Sequence, residues 1–541
     1  MKNRMIHLFA FFVLILFVIS ACEQVVGRNL NKANVDKVDK INLNENIKNN
    51  NLLKDVNIIT SIKNKDISQN WIVPDDNHIR RDEPNEIEYQ DGWPVIIEGS
   101  TWMDGGIRYN MWIGALSPIM EDLENDGSKE LIFFAQERFS DKLYILESNG
   151  EIRANVSMGC GGLYIGFPSI LNLYGNSDKE IIVLCNTREN TLKFLVFNKN
   201  GNLIRERNLG EYSLSDNIYG PFVIKDINGD GNPEIILGGW KYRDNPGIYL
   251  LVFDSNGNIL EGFPVQLENV QFSETNTPSV GNLDNDNNLE IVTIFHRNND
   301  RNLSKINAYK SNGDLLWSQR TESIIYSDPV IGDVNNDGYN EVIFTSPSGV
   351  HILNRFGEYI LNLRLGNNMK FSHSNIALAD LDNDNTLEIV FGYGLNIYAI
   401  HHNGDEIFSY QTNWLTHHPP IIGDINRDGL LDIIFNSDND IYALNSEGEL
   451  LNGFPIEIDT IAYSSPSIGN IDNDEDVELV TSSTWLDPDI YKGIIHVFDI
   501  EGRDSPPKIS WPMYQHDPQH TGAYPLRQRI AGGTPARRLE R

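Results

Sequence analysis

The stretch Asp333-Val-Asn-Asn-Asp-Gly-Tyr-Asn-Glu341 carries side-chain oxygens at its first, third, fifth and ninth positions and a glycine at its sixth. Alternate oxygens on a tight loop can turn inward onto one hard cation, and Gly338 permits the sharp turn that gathers them. Without a cation the carboxylates of Asp333, Asp337 and Glu341 repel one another. Two unit charges roughly 4 Å apart cost about 4 kcal/mol at an effective dielectric near 20. The chemistry indicated is calcium binding, with Asp333, Asn335, Asp337 and Glu341 as ligands.

One such loop is a modest signal in an Asn- and Asp-rich chain, but the pattern recurs. First positions fall at 122, 172, 226, 282, 333, 380, 424 and 470, a spacing of 44 to 56 residues. The further candidate ligands are Asp122, Glu124, Asp126 and Glu130; Asp226, Asn228, Asp230 and Glu234; and Asn282, Asp284, Asp286 and Glu290. They continue with Asp380, Asp382, Asp384 and Glu388; Asp424, Asn426, Asp428 and Asp432; and Asn470, Asp472, Asp474 and Glu478. The copy from Asn172 to Glu180 has lost most of its acids, and the copies from 282, 380 and 470 lack the sixth-position glycine.

The flanks must hold these loops, and they repeat too. A short apolar run precedes each loop, as in Pro329-Val-Ile-Gly332, and a β-branched run follows it, as in Glu341-Val-Ile-Phe344. An alternating segment then ends in a turn glycine at 150, 201, 257, 313, 357, 404, 448 or 502. Glycine after a polar residue between alternating apolar runs predicts a hairpin. Each unit reads strand, acidic loop, strand, connection, strand, tight turn, strand, and a spacing of 44 to 56 residues is about the period of a four-stranded propeller blade. The fold class expected is all-β, a β-propeller of eight blades or of seven with a divergent unit.

These units resemble the FG-GAP and VCBS repeats of integrin-α-like propellers. The Gly-Phe-Pro ends at 262 to 264 and 453 to 455 and the tail Trp511-Pro-Met-Tyr-Gln-His-Asp-Pro-Gln-His-Thr-Gly522 are similar to those of bacterial surface members. The resemblance covers roughly residues 90 to 523. It implies radial blades with calcium held between the first two strands of each, and a sealing role for the tail in the last blade.

Residues 1 to 22 have Lys2 and Arg4, then an apolar run from Leu8 to Ile19, then Ser-Ala-Cys22. This is a targeting segment, too short for a comfortable span. Its ending resembles the bacterial lipobox, which implies acylation of Cys22 and anchoring of an exported protein to a membrane of the cell envelope. Residues 23 to 85 include an Asn-rich stretch without apolar period that reads as a disordered tether. Residues 71 to 112 regain apolar character and supply either a ring-closing strand or a lead-in to the first blade. The propeller is expected over 86 to 523, with a basic tail over 524 to 541.

Forty-three basic against 76 acidic residues give a net charge of −33, which argues against nucleic acid as a partner. Of the three cysteines, Cys160 and Cys185 remain once Cys22 is acylated, and they either pair or stay as buried thiols.

Successive connections in an up-and-down blade switch ends, so the acidic loops and glycine turns share one face. The opposite face carries the longer irregular segments, with Trp240, Tyr242, Arg243, His296, Trp485 and Tyr491, and the inter-blade link with Trp414. Loops on a rigid scaffold and side chains of these types favour recognition. Strand-end capping is the competing role for each. No G-x-S-x-G, H-E-x-x-H or phosphate-cradling glycine loop occurs, and His417, His418, His516 and His520 fit structural roles. The expected function is a calcium-stabilised surface module that binds a protein or glycan. A polysaccharide lyase or hydrolase and an envelope-assembly scaffold are the alternatives.

Overall fold

The computed structural model describes residues 87 to 524, short connecting stretches excepted. Among these residues there is no helix, and eight four-stranded antiparallel blades form a β-propeller. Blade 1 runs through Ile119–Glu121, Glu130–Glu137, Ser140–Leu146 and Ile152–Ser157, innermost strand first. Blades 2 to 7 repeat this order, with innermost strands Ser169–Leu171, Val223–Lys225, Ser279–Gly281, Val330–Gly332, His373–Ala379 and Ile421–Gly423. The choice between eight and seven blades is thus resolved as eight.

Blade 8 joins the two ends of the ring. Ser467–Gly469, Val477–Leu486 and Tyr491–Ile500 supply three strands, and Val95–Glu98 pairs with Tyr491–Ile500 as the fourth. Of the two roles open for residues 71 to 112, ring closure is the one seen. The middle strands of each blade are buried on both faces, as in Glu341–Ser346 and Gly349–Leu353. That is why they read as continuous β-branched runs. Outermost strands alternate between exposed and half-buried residues, as in Tyr359–Arg364.

The hairpin glycines serve two ends at once. Gly357 has φ +80°, and a Cβ there would stand 2.7 Å from the Trp317 ring of the preceding blade. The Trp317 Nε1–H in turn donates to the Arg355 carbonyl at 2.9 Å. At Gly262 and Gly313 two glycines of neighbouring blades meet backbone to backbone. A methyl group on either would part the blades. Cys160 and Cys185 are bonded to each other, with Cα atoms 5.9 Å apart, so the pairing left open by sequence is formed.

The tail reaches further than the last blade, where sealing was expected of it: it bonds the innermost strand of blade 8 and runs on along the innermost strands of the others. Ile509–Trp511 adds a fifth strand to blade 7. The N–H groups of Ile170, Ile224, Val280, Ile331 and Ile468 then donate to carbonyls of Pro518, Gln519, Thr521, Gly522 and Pro512. Tyr514 receives a bond from Asn375 of blade 6, and Met513 packs in the core beneath blade 1. Residues 508 to 524 therefore touch every blade. Edge backbone groups of inner strands need partners when buried, and a segment without strand periodicity provides them one at a time.

Candidate metal loops

All eight loops share one backbone device. The fourth residue is left-handed in each: Asn125, Gly175, Gly229, Asn285, Asn336, Asn383, Arg427 and Asn473, with φ between 56° and 74°. The ninth-position carboxylate accepts the N–H of the second residue in every copy, at 3.0 Å in Glu130 and Glu234 and 2.7 Å in Glu290 and Glu388. Glu180, Glu341, Asp432 and Glu478 do the same, so even the worn copy from Asn172 keeps this staple. The fifth-position carboxylate accepts the seventh N–H, as Asp337 does from Tyr339 at 2.9 Å.

Wherever the sixth residue is glycine the first is aspartate, and its Oδ2 accepts the sixth N–H, as Gly338 donates to Asp333 and Gly429 to Asp424, both at 2.9 Å. Gly338 and Gly429 then sit at φ 92°. Asn282 instead turns its Nδ2 onto the Asp286 carbonyl at 2.6 Å, and Asn470 bonds Asp474 likewise. In the copy from 282 the sixth residue, Asn287, has no positive φ, so glycine is not needed there. Asn385 in the Asp380 copy does adopt φ 76°, a conformation asparagine tolerates.

Loops of successive blades are linked. The eighth N–H donates to the second carbonyl of the preceding loop: Lys179 to Leu123, Leu289 to Ile227, Leu387 to Val334, and Lys129 to Ile471 across the ring closure. The acidic loops form a belt on one face, and the glycine turns lie beside them. Arg153, just beyond Gly150, reaches Glu124 and Glu130, and Lys310 reaches Asp284 at 3.1 Å. The predicted sharing of one face by first and third connections is observed.

Burial is what makes the ninth position costly to ionise. Desolvation, then the neighbouring loop carboxylates, push Glu341 and Glu478 up to about 8. Desolvation likewise raises Glu234, Glu290, Glu388 and Asp432 to about 7. Asp284, Asp286 and Glu290 offer oxygens within 4.8 Å of one another, as do Asp380, Asp382 and Asp384, and Asp472, Asp474 and Glu478. Glu478 is fully buried; its Oε2 is satisfied by Ile471, and its Oε1 has no hydrogen-bond partner. An orphaned buried carboxylate oxygen facing two further acids fits a cation.

Blade 1 does not fit one. The Arg153 guanidinium stands 2.8 Å from Glu130 Oε1 and 3.0 Å from Glu124 Oε2, and its Nε lies 2.6 Å from Glu147. A resident cation joins the third and ninth positions that were expected, with Asp122 and Asp126, to hold calcium. Sequence reasoning missed Arg153; its signal was a basic residue three places beyond a hairpin glycine.

The recognition candidates divide. Trp240 is buried in the core shared by blades 3 and 4, which corrects its expected place on the surface. Trp414 is exposed. His296, Trp485 and Tyr491 lie near the ends of blade strands, His296 in Glu290–Arg297, while Tyr242, Arg243 and His417 lie outside the described residues. His520 is buried and bonds the Pro168 carbonyl, and His516 lies 3.5 Å from Asp517. Both tail histidines serve packing.

No protein-family model matches the chain, and no curated protein matches it. Solved structures do. The V. cholerae biofilm matrix protein Bap1 aligns at 13% identity over 82% of this chain and 96% of its own, with a TM-score of 0.42. The exotype rhamnogalacturonan lyase YesX aligns at 12% identity over 81% and 93%, with a TM-score of 0.45. The Bacillus licheniformis rhamnogalacturonan lyase PL11 aligns at 13% identity over 76% and 96%, with a TM-score of 0.43.

Proposed function

We propose that this chain is an exported, lipid-anchored propeller of the FG-GAP and VCBS type that binds a protein or glycan through the face opposite its acidic loops. Calcium in those loops stabilises the blades. Acylation at Cys22, outside the described residues, ties it to the envelope. Asp472, Asp474 and Glu478 would hold one ion, and the corresponding residues of blades 3 to 7 others. The ion's chemistry is charge neutralisation between the first two strands of a blade.

One observation supports the choice of face. The connection between second and third strands has two residues in blades 1, 5, 6 and 7 and four in blade 8, but five, five and six in the consecutive blades 2, 3 and 4. The acidic face is a repeated hydrogen-bonded belt and the axis is lined by residues 508 to 524, while the longest connections fall in one arc. Variable connections on a rigid frame favour recognition. In sequence, Tyr242 and Arg243 fall in the connection of blade 3, and His296 is next to last in the strand that precedes the connection of blade 4.

The test replaces residues 242 to 246 and 298 to 303 with the two-residue connection of blade 5, Pro347-Ser348. A glycan array and a pull-down from whole cells, run in calcium, should lose the wild-type ligand while melting is unchanged. Undiminished capture by the variant would overturn the choice of face. Adding chelator to the wild type should lower its melting temperature, and an unmoved curve would remove calcium from the account.

A further inference from the structure

The strand register sets one residue of each glycine hairpin directly across from the ninth-position acid. In blade 8 that pair is Glu478 and Asp499. In blade 6 it lies one step beyond Ile389 and Ile400, at Glu388 and His401. The residue is always third before the turn glycine: Glu147, Asn198, Asp254, Lys310, Asn354, His401, Asn445 and Asp499. Directly opposed side chains share a face of the strand pair, so this residue is the last group each acidic loop meets. Glu147, Asp254 and Asp499 bring a further carboxylate, Lys310 a competing ammonium, and the asparagines a neutral amide. Blade 6 brings an imidazole.

His401 Nδ1 lies 3.3 Å from Glu388 Oε1. Asp382, Glu388 and His401 each offer a ligand atom, all within 4.8 Å of one another. Two ligand atoms each roughly 2.0–2.1 Å from a tetrahedral ion stand about 3.3 Å apart, which is the separation found. Glu388 is fully buried while His401 is partly open to solvent, so the group is reached from the His401 side. Calcium takes oxygen ligands, whereas imidazole nitrogen suits zinc, copper and nickel.

We propose that the blade 6 loop is a separate site for a transition-metal ion of the zinc class, held by Asp382, Glu388 and His401. This rests on the reading of the loops as cation sites and differs in the ion. Asp382 also belongs to the all-oxygen group with Asp380 and Asp384, so the two ions compete for this loop, and His401 decides in favour of the softer one.

The test uses the full chain, stripped of metal and then given zinc in the presence of excess calcium. After gel filtration both metals are measured by elemental analysis. The expected content includes one zinc per chain, and cobalt in its place should give visible absorption of a low-coordinate site. His401→Asn installs the residue that Asn198, Asn354 and Asn445 supply in sister blades, so folding should be intact. It should weaken zinc binding more than about a hundredfold, beyond the loss seen when only a supporting partner is removed, with melting in calcium unchanged and calcium content rising by at most one ion per chain as the vacated loop fills. Equal zinc retention by the variant, or none by the wild type, overturns the site. If calcium is absent while zinc persists through His401, the calcium reading fails and this one stands; calcium retained with zinc washed away gives the reverse.

Discussion

Glu478→Gln should change sign with the metal. In the calcium-free chain Glu478 is pushed from its ordinary 4.5 to about 8, by burial first and by Asp472, Asp474 and Asp499 after it. A raised carboxyl contributes stability that is complete below 4.5 and is lost as pH rises toward 8, because the folded chain keeps a proton the unfolded one has released. From 4.5 to 7.5 is three pH units at about 1.36 kcal/mol each, an upper limit of about 4 kcal/mol. Relaxation and water entry bring the expected effect to about 2 kcal/mol. Glutamine keeps an acceptor for the Ile471 N–H and removes the charge. For about 440 residues melting together this is about 2 °C. Thermal unfolding at pH 7.5 in chelator should place the variant above the wild type, and in calcium below it, since one ligand carboxylate is gone. A variant less stable in both buffers, or equally shifted in both, would refute the assignment of Glu478 to a cation.

Two further outcomes are expected. Burial holds His351 and His496 near 4 instead of 6.5, so their contribution is intact above 6.5 and is lost as pH falls to 4. The stability difference between wild type and the His351→Gln, His496→Gln double variant, measured by urea unfolding in calcium, should decline across that window by up to about 3 kcal/mol per histidine; a difference independent of pH would contradict the buried neutral state. Trp511→Ala removes the largest fully buried side chain, which packs in the core shared by blades 5 to 7, and should cost about 3–5 kcal/mol, whereas a loss below 1 kcal/mol would mean the tail is not integral.

Much of this was legible because it repeats. The oxygen pattern from Asp333, the turn glycines and the buried runs after each loop all follow from local chemistry acting eight times over, and the blades stand where that spacing puts them. The tail was not legible in the same way. Trp511 to Gly522 makes its backbone bonds to a series of different strands, so no period of two marks it as paired. Trp240 misled because aromatic type at a strand end serves core and surface equally, and only the neighbours Ile248 and Phe263 decide. Arg153 and His401 are readable only after alignment of the hairpins on their glycines, since their partners in the acidic loops lie more than ten residues earlier in the chain.

The ring needs both of its extremities. Val95–Glu98 completes blade 8, and residues 508 to 524 bond the inner edges of blades 2 to 5, 7 and 8 and meet blades 1 and 6 through side chains. A chain emerging from its amino end therefore carries an unpaired closing strand until nearly everything else has appeared, and its axle arrives last. Contacts of such sequence separation form slowly and leave exposed edges in the meantime. Closure of the ring is thus deferred until residues 508 to 524 have emerged, and the blades made before them wait with their inner edges open.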